Sequence, residues 1–484
     1  MGDLKAEVVV IGSGAGGATV AATLSKAGYD VLILEEGPST AGQTYETHSP
    51  TAMRSIYRDG GTSVISAQNR IPYVEGKCVG GSTEINSGFW HRLPPSVLAS
   101  WQVDYGLNVN DNDKLTGLFE ELESELGLVT IGNHTLPPSS AVFKKGLDKL
   151  GWDARETPRL QRGDPTASQF RLNAKSTMSL TMIPKALSSG ARLLSNCKVS
   201  KLITNGNAVT GIQASVVDNN TSEEIVVNAK YVWVCGGTIQ TPLLLLRSGI
   251  RHNIGGNLQI HPMIKVVAEF DQRLDAHDSV MPVFQIRDHA SDVFIGGSVF
   301  TPGFLAMALA DSGNVDSDVL VNWRNCAIFY VSTKSRGFGS VDTLPFSNAP
   351  RVKFRLAKGD ASNLSAGLLR LSEVLFQGGA LRLFPGIENS GIWDSVENTR
   401  GELSSSANYS RMRLSTVHLT STCPIGENTN RCAANSRGRI NGVNNVYVAD
   451  ASALPSAPGV NPQGTVMTVA FLNARKFATQ TNSL

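Results

Sequence analysis

No apolar run in these 484 residues approaches the length of a bilayer span, so no transmembrane helix is expected. Charge of one sign is also missing: 43 Lys and Arg stand against 41 Asp and Glu. With a net charge of +2 and no basic run of five or more, the chain offers nothing to nucleic acid or another polyanion. Cysteine is sparse. The six residues at 78, 197, 235, 326, 423 and 432 contain no C-x-x-C pair, which excludes a zinc ribbon and a disulfide framework, and no metal site is expected. Cys423 and Cys432 are close enough in sequence to bridge, but a reducing compartment opposes it. The first apolar run begins within a few residues of Met1, which leaves no room for a cleavable signal. A cytoplasmic location is therefore expected, and sequons such as Asn133 and Asn408 carry no meaning there.

What remains is an ordinary globular composition, 41% hydrophobic and 17% charged, long enough for two or three domains. Glycine is generous at 47 residues. The most informative stretch runs from Glu7 to Glu36. The apolar run Val8–Ile11 meets Gly12, Gly14 and Gly17, a small-residue helix pattern follows to Leu24, and the apolar run Val31–Leu34 ends in Glu35-Glu36-Gly37. This is a dinucleotide-binding βαβ pattern. Gly12 permits the tight turn, Gly14 lets backbone approach a pyrophosphate, and Gly17 lets the helix pack close to the strand. The helix N-terminus presents free N–H groups to phosphate. Glu35, at the end of the second strand, is placed to accept hydrogen bonds from ribose hydroxyls.

Residues 38–75 are polar and turn-rich and read as a long ordered loop of the kind that covers a ligand. The following Gly80-Gly81-Ser82-Thr83-Glu84-Ile85-Asn86 has two readings: a glycine turn that opens a helix, or a second loop pressed against a phosphate or a flat ring. Amphipathic helices are expected at 113–127 and 141–150, and the arginine-rich stretch 151–175 reads as loop. Short strands are expected through 191–235, the last of which enters Gly236-Gly237 and a helix with Pro242 in its first turn. Between 265 and 355 strand signals dominate, at 264–270, 281–286, 293–300, 327–332 and 352–356, and predict a mostly antiparallel sheet that forms a wall. Leu364, Leu368, Leu371 and Leu375 recur at helical spacing, for which core packing is sufficient reason. Near the C-terminus His418 stands alone, an acid at Asp450 follows a strand, and a proline-rich turn at 455–462 leads to a helix over 464–478.

Taken in order, several segments resemble the glucose–methanol–choline (GMC) flavoprotein oxidoreductases: GSGAGG…LEEG, GGSTEIN, Gly237-Thr238-x-x-Thr241-Pro242, Gly256-Asn257-Leu258-x-x-His261-Pro262, His418 with Ile425-Gly426, and VADAS…Asn461-Pro462-x-x-Thr465. The resemblance covers residues 7 to about 472, in general layout only over 38–75 and 266–410. It implies an α/β, two-domain fold, with a Rossmann-like FAD-binding domain assembled from 1–98, 176–265 and 415–484. A substrate-binding domain of 99–175 and 266–414 carries the antiparallel sheet. It implies FAD rather than NAD, with Glu35 on the adenosine ribose and Gly12, Gly14 and Gly17 on the pyrophosphate. Gly80, Gly81 and Ser82 would add phosphate and flavin contacts, Asn86 would lie near the ring, and Val199 would meet adenine through its backbone. Asp450 and Ala451 would hold the ribityl chain and pyrophosphate, and Thr465 would also bind the cofactor.

By the same likeness His418 would be the base and Asn461 its partner in oxidation of an alcohol CH–OH, with hydride passing to flavin N5 and reoxidation by O2 or another acceptor. Imidazole suits that proton, and the Asn amide can orient the hydroxyl but cannot titrate. Some members link FAD covalently through a histidine at the position of Ile85, so non-covalent FAD is expected here. His261 is expected to be structural, with pocket lining as its other reading. A cyanohydrin-type lyase, a light-driven decarboxylase and a non-enzymatic FAD protein are the competing readings. The expected partners are an alcohol or sugar and an electron acceptor. Trp90-His91-Arg92, Phe284, Phe329 and Trp323 are candidate pocket residues that equally suit a core.

Overall fold

The computed structural model describes residues 4–40, 48–109, 112–130, 132, 135–153, 155–161, 175–218, 221–278, 283–288, 292–313, 317–344, 346, 347, 349–405 and 410–481. Asn133, Asn408 and residues 162–174 of the arginine-rich stretch lie outside them. The chain starts with β1 (Leu4–Ile11), α1 (Ala15–Lys26) and β2 (Val31–Leu34), and later adds α2 (Pro138–Leu150) and β3 (Arg155–Glu156). Then come β4 (Arg192–Leu194), β5 (Cys197–Asn205), β6 (Ala208–Asp218), β7 (Thr221–Val234), α3 (Gly237–Arg247) and β8 (Gln259–Ile260). The next part contains β9 (Met263–Phe270), β10 (Phe284–Asp288), β11 (Val293–Gly297), α4 (Pro302–Ser312), β12 (Cys326–Thr333), α5 (Lys358–Gly378) and β13 (Ala380–Pro385). The chain closes with β14 (Leu419–Thr420), β15 (Val446–Val448) and α6 (Gln463–Thr481).

Two sheets dominate. The first has the order β4-β2-β1-β7-β6-β5, with β15 paired to the other side of the C-terminal end of β7. Its β4, β2, β1, β7 and β15 pair in parallel, and β5, β6 and β7 form an antiparallel meander. Val8, Val9, Val10, Val31 and Ile33 have no exposed surface, because strands in the middle of a parallel sheet are covered on both faces. The second sheet has the order β13-β9-β12-β11-β10-β3, with every pairing antiparallel, the wall expected from sequence. One of its faces carries α2 and α5, whose backbones cross closely at Gly146 and Gly378. A Cβ on Gly146 would lie 1.9 Å from the Val374 carbonyl oxygen, and one on Gly378 would lie 2.4 Å from that of Val142. Leu364, Leu368, Leu371 and Leu375 are fully buried there, so the leucine stripe is core.

Several local expectations are corrected. The runs at 225–227 and 230–235 belong to one long strand, β7, because the polar residues between them alternate outward along an antiparallel ladder. The 352–356 run pairs with Phe338–Thr343 in a separate hairpin, outside the wall. α4 was hidden within the strand-rich region; it starts at Thr301, whose side chain caps the Phe304 N–H. The 38–75 segment is a helix at Pro50–Ile56 and a hairpin of Ser63–Ile65 with Ile71–Tyr73, with 41–47 outside the described residues. Pro242 lies inside α3, not in its first turn. The carbonyl it leaves without an N–H, Thr238 O, accepts instead from Thr422 Oγ1 at 2.7 Å, so the proline is accommodated by a residue 184 positions away. All six cysteines are free thiols, and Cys423 and Cys432 do not bridge.

Candidate active site

The turn after β1 is held by Ser13. Its Oγ donates to Glu35 Oε2 at 2.7 Å and accepts from the Gly80 N–H at 3.0 Å, which ties the fingerprint, the end of β2 and the glycine loop at one atom. Glu35 also accepts from Ser13 N at 3.0 Å and from Gly37 N at 2.9 Å. Burial raises its pKa, opposed by those donors. Three of the roughly four lone-pair directions of the carboxylate are therefore occupied by these donors, which leaves one open. Gly12 has φ +100 and its added Cβ would meet Cys235 O at 2.3 Å, so only glycine serves the turn. A Cβ on Gly17 would meet Gly12 O at 2.1 Å, the close helix-to-strand approach expected of it.

Gly80 and Gly81 open a single 3-10 turn, Gly81–Thr83, and not an α-helix. Gly81, at φ +56, lies so close to the fingerprint that its Cβ would be 2.9 Å from Gly14 Cα. The glycine loop is thus pressed against the first phosphate-type turn. Ser82 Oγ accepts from Gly76 N at 3.0 Å. Asn86 reaches the C-terminal helix: its Nδ2 donates to Gln463 Oε1 at 2.6 Å, and its Oδ1 accepts from Gly88 N at 3.0 Å. Val199 of β5 pairs with Ala214 of β6 and lies two residues beyond Cys197, whose N–H donates to Glu35 O at 2.8 Å. Asp450 is buried after β15, and its carboxylate accepts from Gly237 N at 2.8 Å, Thr241 Oγ1 at 2.5 Å and Ser452 N at 2.7 Å. Ala451 carries the carbonyl that accepts from Ser421 N at 3.0 Å. Thr465 lies in the first turn of α6, and its buried Oγ1 has no partner among the described residues.

His418 and Asn461 meet. Asn461 Nδ2 lies 3.1 Å from His418 Nε2, and burial pushes the histidine pKa down to about 4. The other ring nitrogen has a partner that the sequence did not assign to it: His261 Nδ1 lies 3.0 Å from His418 Nδ1, with the two rings perpendicular. The pairing of β8 with β14 produces this contact. Ile260 stands opposite Leu419, so the residue after β8 and the residue before β14 become neighbours. His261 packs edge-on against Phe294 of β11, which joins the pair to the wall.

Two further ionisable groups, Lys175 buried and Glu75 half-buried, escaped the sequence reading. Lys175 donates to the carbonyls of Glu84 at 3.0 Å and Asn86 at 2.7 Å, beneath the glycine loop, and burial pushes its pKa down to about 8. Burial pushes Glu75 up to about 7, and its Oε1 would be 3.9 Å from a Cβ on Gly237. No local pattern marks either one. Among the candidate pocket residues, Trp90 Nε1 is bound to Glu123, Phe329 stacks on Phe143, and Trp323 stacks on Phe300, all as packing residues.

Comparison with known proteins bears on the family and the fold. Residues 53–263 and 334–470 each match the description of a GMC oxidoreductase, and residues 10–70 match an NAD(P)-binding Rossmann-like domain. The chain is 36% identical over 473 residues to an uncharacterized GMC-type oxidoreductase, y4nJ, of Sinorhizobium fredii, across 97% of this chain and 94% of that one. The chain belongs to the GMC oxidoreductase family. It is also 25% identical to the long-chain-alcohol oxidase FAO3 of Arabidopsis thaliana, over 98% of this chain and 68% of the relative. The fold is similar to that of pyridoxine 4-oxidase from Mesorbium loti, with TM-score 0.74, 16% identity and coverage of 98% and 99%. It is equally similar to an Aspergillus oryzae formate oxidase variant, with TM-score 0.77, 15% identity and coverage of 99% of each chain. Among the described residues no helix is long and apolar enough to cross a membrane.

A GMC oxidoreductase with a Rossmann-like domain implies a flavin, FAD, and the residues present fit it. Two glycine turns lie back to back, and the first turn of α1 has neither a capping side chain nor an acid to compete with a phosphate. The Thr465 hydroxyl, without a partner among the described residues, is a buried donor of the kind a bound polar group would satisfy.

Proposed function

We propose that this GMC oxidoreductase oxidises an alcohol CH–OH to a carbonyl, with His418 as general base, Asn461 orienting the hydroxyl, and O2 or another acceptor closing the cycle. The observation that carries the reading is the 3.1 Å approach of the Asn461 amide to His418 Nε2 in a half-buried site. Burial keeps the imidazole neutral, and its Nε2 lone pair, which the Asn461 amide N–H meets in the resting site, takes the hydroxyl proton once the alcohol oxygen has taken over that N–H. FAD, when bound, supplies the two-electron acceptor for the hydrogen on carbon. Gly12, Gly14, Gly17, Glu35, Gly80, Gly81, Ser82, Asn86, Val199, Asp450, Ala451 and Thr465 are the residues that would hold it. They would act within a domain made of 1–98, 176–265 and 415–484, with 99–175 and 266–414 over the substrate.

The cofactor would be held without a covalent bond. Ile85, where a linking histidine would stand, is buried against Ala52, Ile56, Tyr57 and Cys78 and has no nucleophilic atom. After denaturation and filtration the flavin is expected in the filtrate, and flavin retained by the polypeptide would contradict this. The reaction itself is tested by anaerobic bleaching of the flavin over a panel of primary alcohols, sugars and ring alcohols, followed by air. His418→Ala should slow flavin reduction by about 10² or more. Reduction at the unaltered rate would remove His418 from the base role, and no bleaching by any alcohol would turn the reading toward a lyase.

A further inference from the structure

We propose that His261 is the positioning residue of this site: its Nδ1 accepts the N–H of His418 Nδ1 and thereby keeps the lone pair of His418 on Nε2, facing Asn461. The inference rests on the reading of His418 as the base.

A hydrogen bond between two imidazole nitrogens needs one N–H and one lone pair. The 3.0 Å separation of the two Nδ1 atoms therefore fixes opposite protonation on them. The direction is set at the other end of His418. The Asn461 Nδ2 amide only donates, so at 3.1 Å it requires a lone pair on His418 Nε2. A neutral imidazole with its lone pair on Nε2 carries its proton on Nδ1, and His261 must then be the acceptor. His261 Nε2 is buried and has no partner among the described residues, so nothing at that end opposes this arrangement.

The pair is built to hold this geometry. The His261 N–H donates to His418 O at 3.3 Å, and Thr416 Oγ1 donates to His261 O at 3.0 Å and to His418 O at 3.2 Å. The Phe294 edge contact fixes the His261 ring plane. The titratable groups that face His261 are His418 and, from the segment after β12, Lys334. After burial, both lower its pKa, so it remains a neutral acceptor.

The proton balance is simple. The alcohol O–H bond breaks, its proton forms a bond to His418 Nε2, and the resulting imidazolium keeps its Nδ1–H bonded to His261. No proton moves on to His261. The second N–H···N bond becomes charge-assisted when the positive charge forms, and stabilises that state more than the resting one. Without His261 the tautomer with the proton on Nε2 becomes accessible, and in that form the base has no lone pair to offer the alcohol.

The test uses the FAD-loaded enzyme labelled with 15N-histidine, with His261→Asn and His418→Asn spectra for assignment. His418 should show a protonated Nδ1 and a bare Nε2, His261 a bare Nδ1. In kinetics, His261→Leu should lower the maximal rate of flavin reduction by about ten- to a hundredfold, less than the loss of roughly 10²–10⁴ that follows removal of a general base itself, with little change in KM. His261→Asn, whose Oδ1 can stand near the place of Nδ1, should recover most of that loss. A His418 protonated on Nε2 in the wild-type spectrum would overturn the proposal, as would equal losses in both variants or a loss in neither. If His261→Leu does not fold, the wild-type 15N spectrum decides alone. If no alcohol bleaches the flavin while the expected 15N pattern is found, the proposed reaction fails and the tautomer assignment stands.

Discussion

Ser13 does more than its place between two glycines would require. Its hydroxyl donates to a buried carboxylate at 2.7 Å and receives the Gly80 N–H at 3.0 Å. Removal by Ser13→Ala leaves the Glu35 carboxylate short of a donor and the Gly80 N–H without an acceptor. The expected loss is about 1–3 kcal/mol, seen as weaker FAD binding and a lower urea midpoint. Unchanged values for both would show that the bridge contributes nothing. His418 makes a prediction in pH. Because burial depresses its pKa to about 4, the base-competent neutral form persists down to that pH and is lost only below it. The rate of flavin reduction governed by His418 should therefore be flat from pH 8 to 5. A break near 6.5, the ordinary imidazole value, would mean that the ring is solvated in the working enzyme.

Among the elements, α1 and α3 show what close approach costs. α1 runs so near the β15 side of the sheet that a Cβ on Gly16 would be 1.7 Å from Ala449 O, against backbone that cannot move aside. Gly16→Ala should abolish soluble flavoprotein, whereas Gly117→Ala, on the exposed face of the amphipathic helix Asn112–Leu126 with nothing within 4 Å, should stabilise the protein by about 0.5–1 kcal/mol. Paired thermal melts separate the two, and similar behaviour would refute the packing account. In α3 the cost of Pro242 is offset by Thr422. Thr422→Val keeps the shape but leaves Thr238 O without its 2.7 Å donor, and should destabilise by about 1–2 kcal/mol in urea unfolding. No change would mean that water reaches that carbonyl.

At the scale of the whole molecule, desolvated histidines couple folding to pH. His48 is half-buried beside the Tyr57 hydroxyl, 2.8 Å from its Nδ1, and desolvation of its ring lowers its pKa to about 4. A lowered folded pKa means that the unfolded chain takes the proton first. The stability contribution is intact above the unfolded value near 6.5 and is lost as pH falls from there to about 4. His48→Asn removes that uptake, so its unfolding free energy should fall less steeply with acidification than that of the wild type. The two slopes should differ by about 1.4 kcal/mol per pH unit over that window. Parallel curves from urea titrations at pH 7, 6 and 5 would show that His48 takes up its proton in the folded chain as it does in the unfolded one.

The sequence by itself determined the βαβ start, the order of the motifs, the cofactor class and the antiparallel character of the wall. Each of these is written locally: strand and helix periods, glycines at turns with positive φ, and an acid at a strand end act over a few residues. The His–Asn pair was legible only through family likeness, since an isolated histidine and an asparagine 43 positions later carry no pattern of their own. The tertiary structure alone decided that His261 stands against His418, that Ser13 joins Glu35 to Gly80, that Lys175 lies beneath the glycine loop, and that Thr422 completes the helix broken by Pro242. The physical reason is common to all four. These contacts link residues far apart in the chain, and two of them depend on elements or turns too short to have a period: the two-residue strands β8 and β14, and the single turn at Gly81. Their position follows from how the two sheets and the long β7 fold the chain back, which no window of sequence contains.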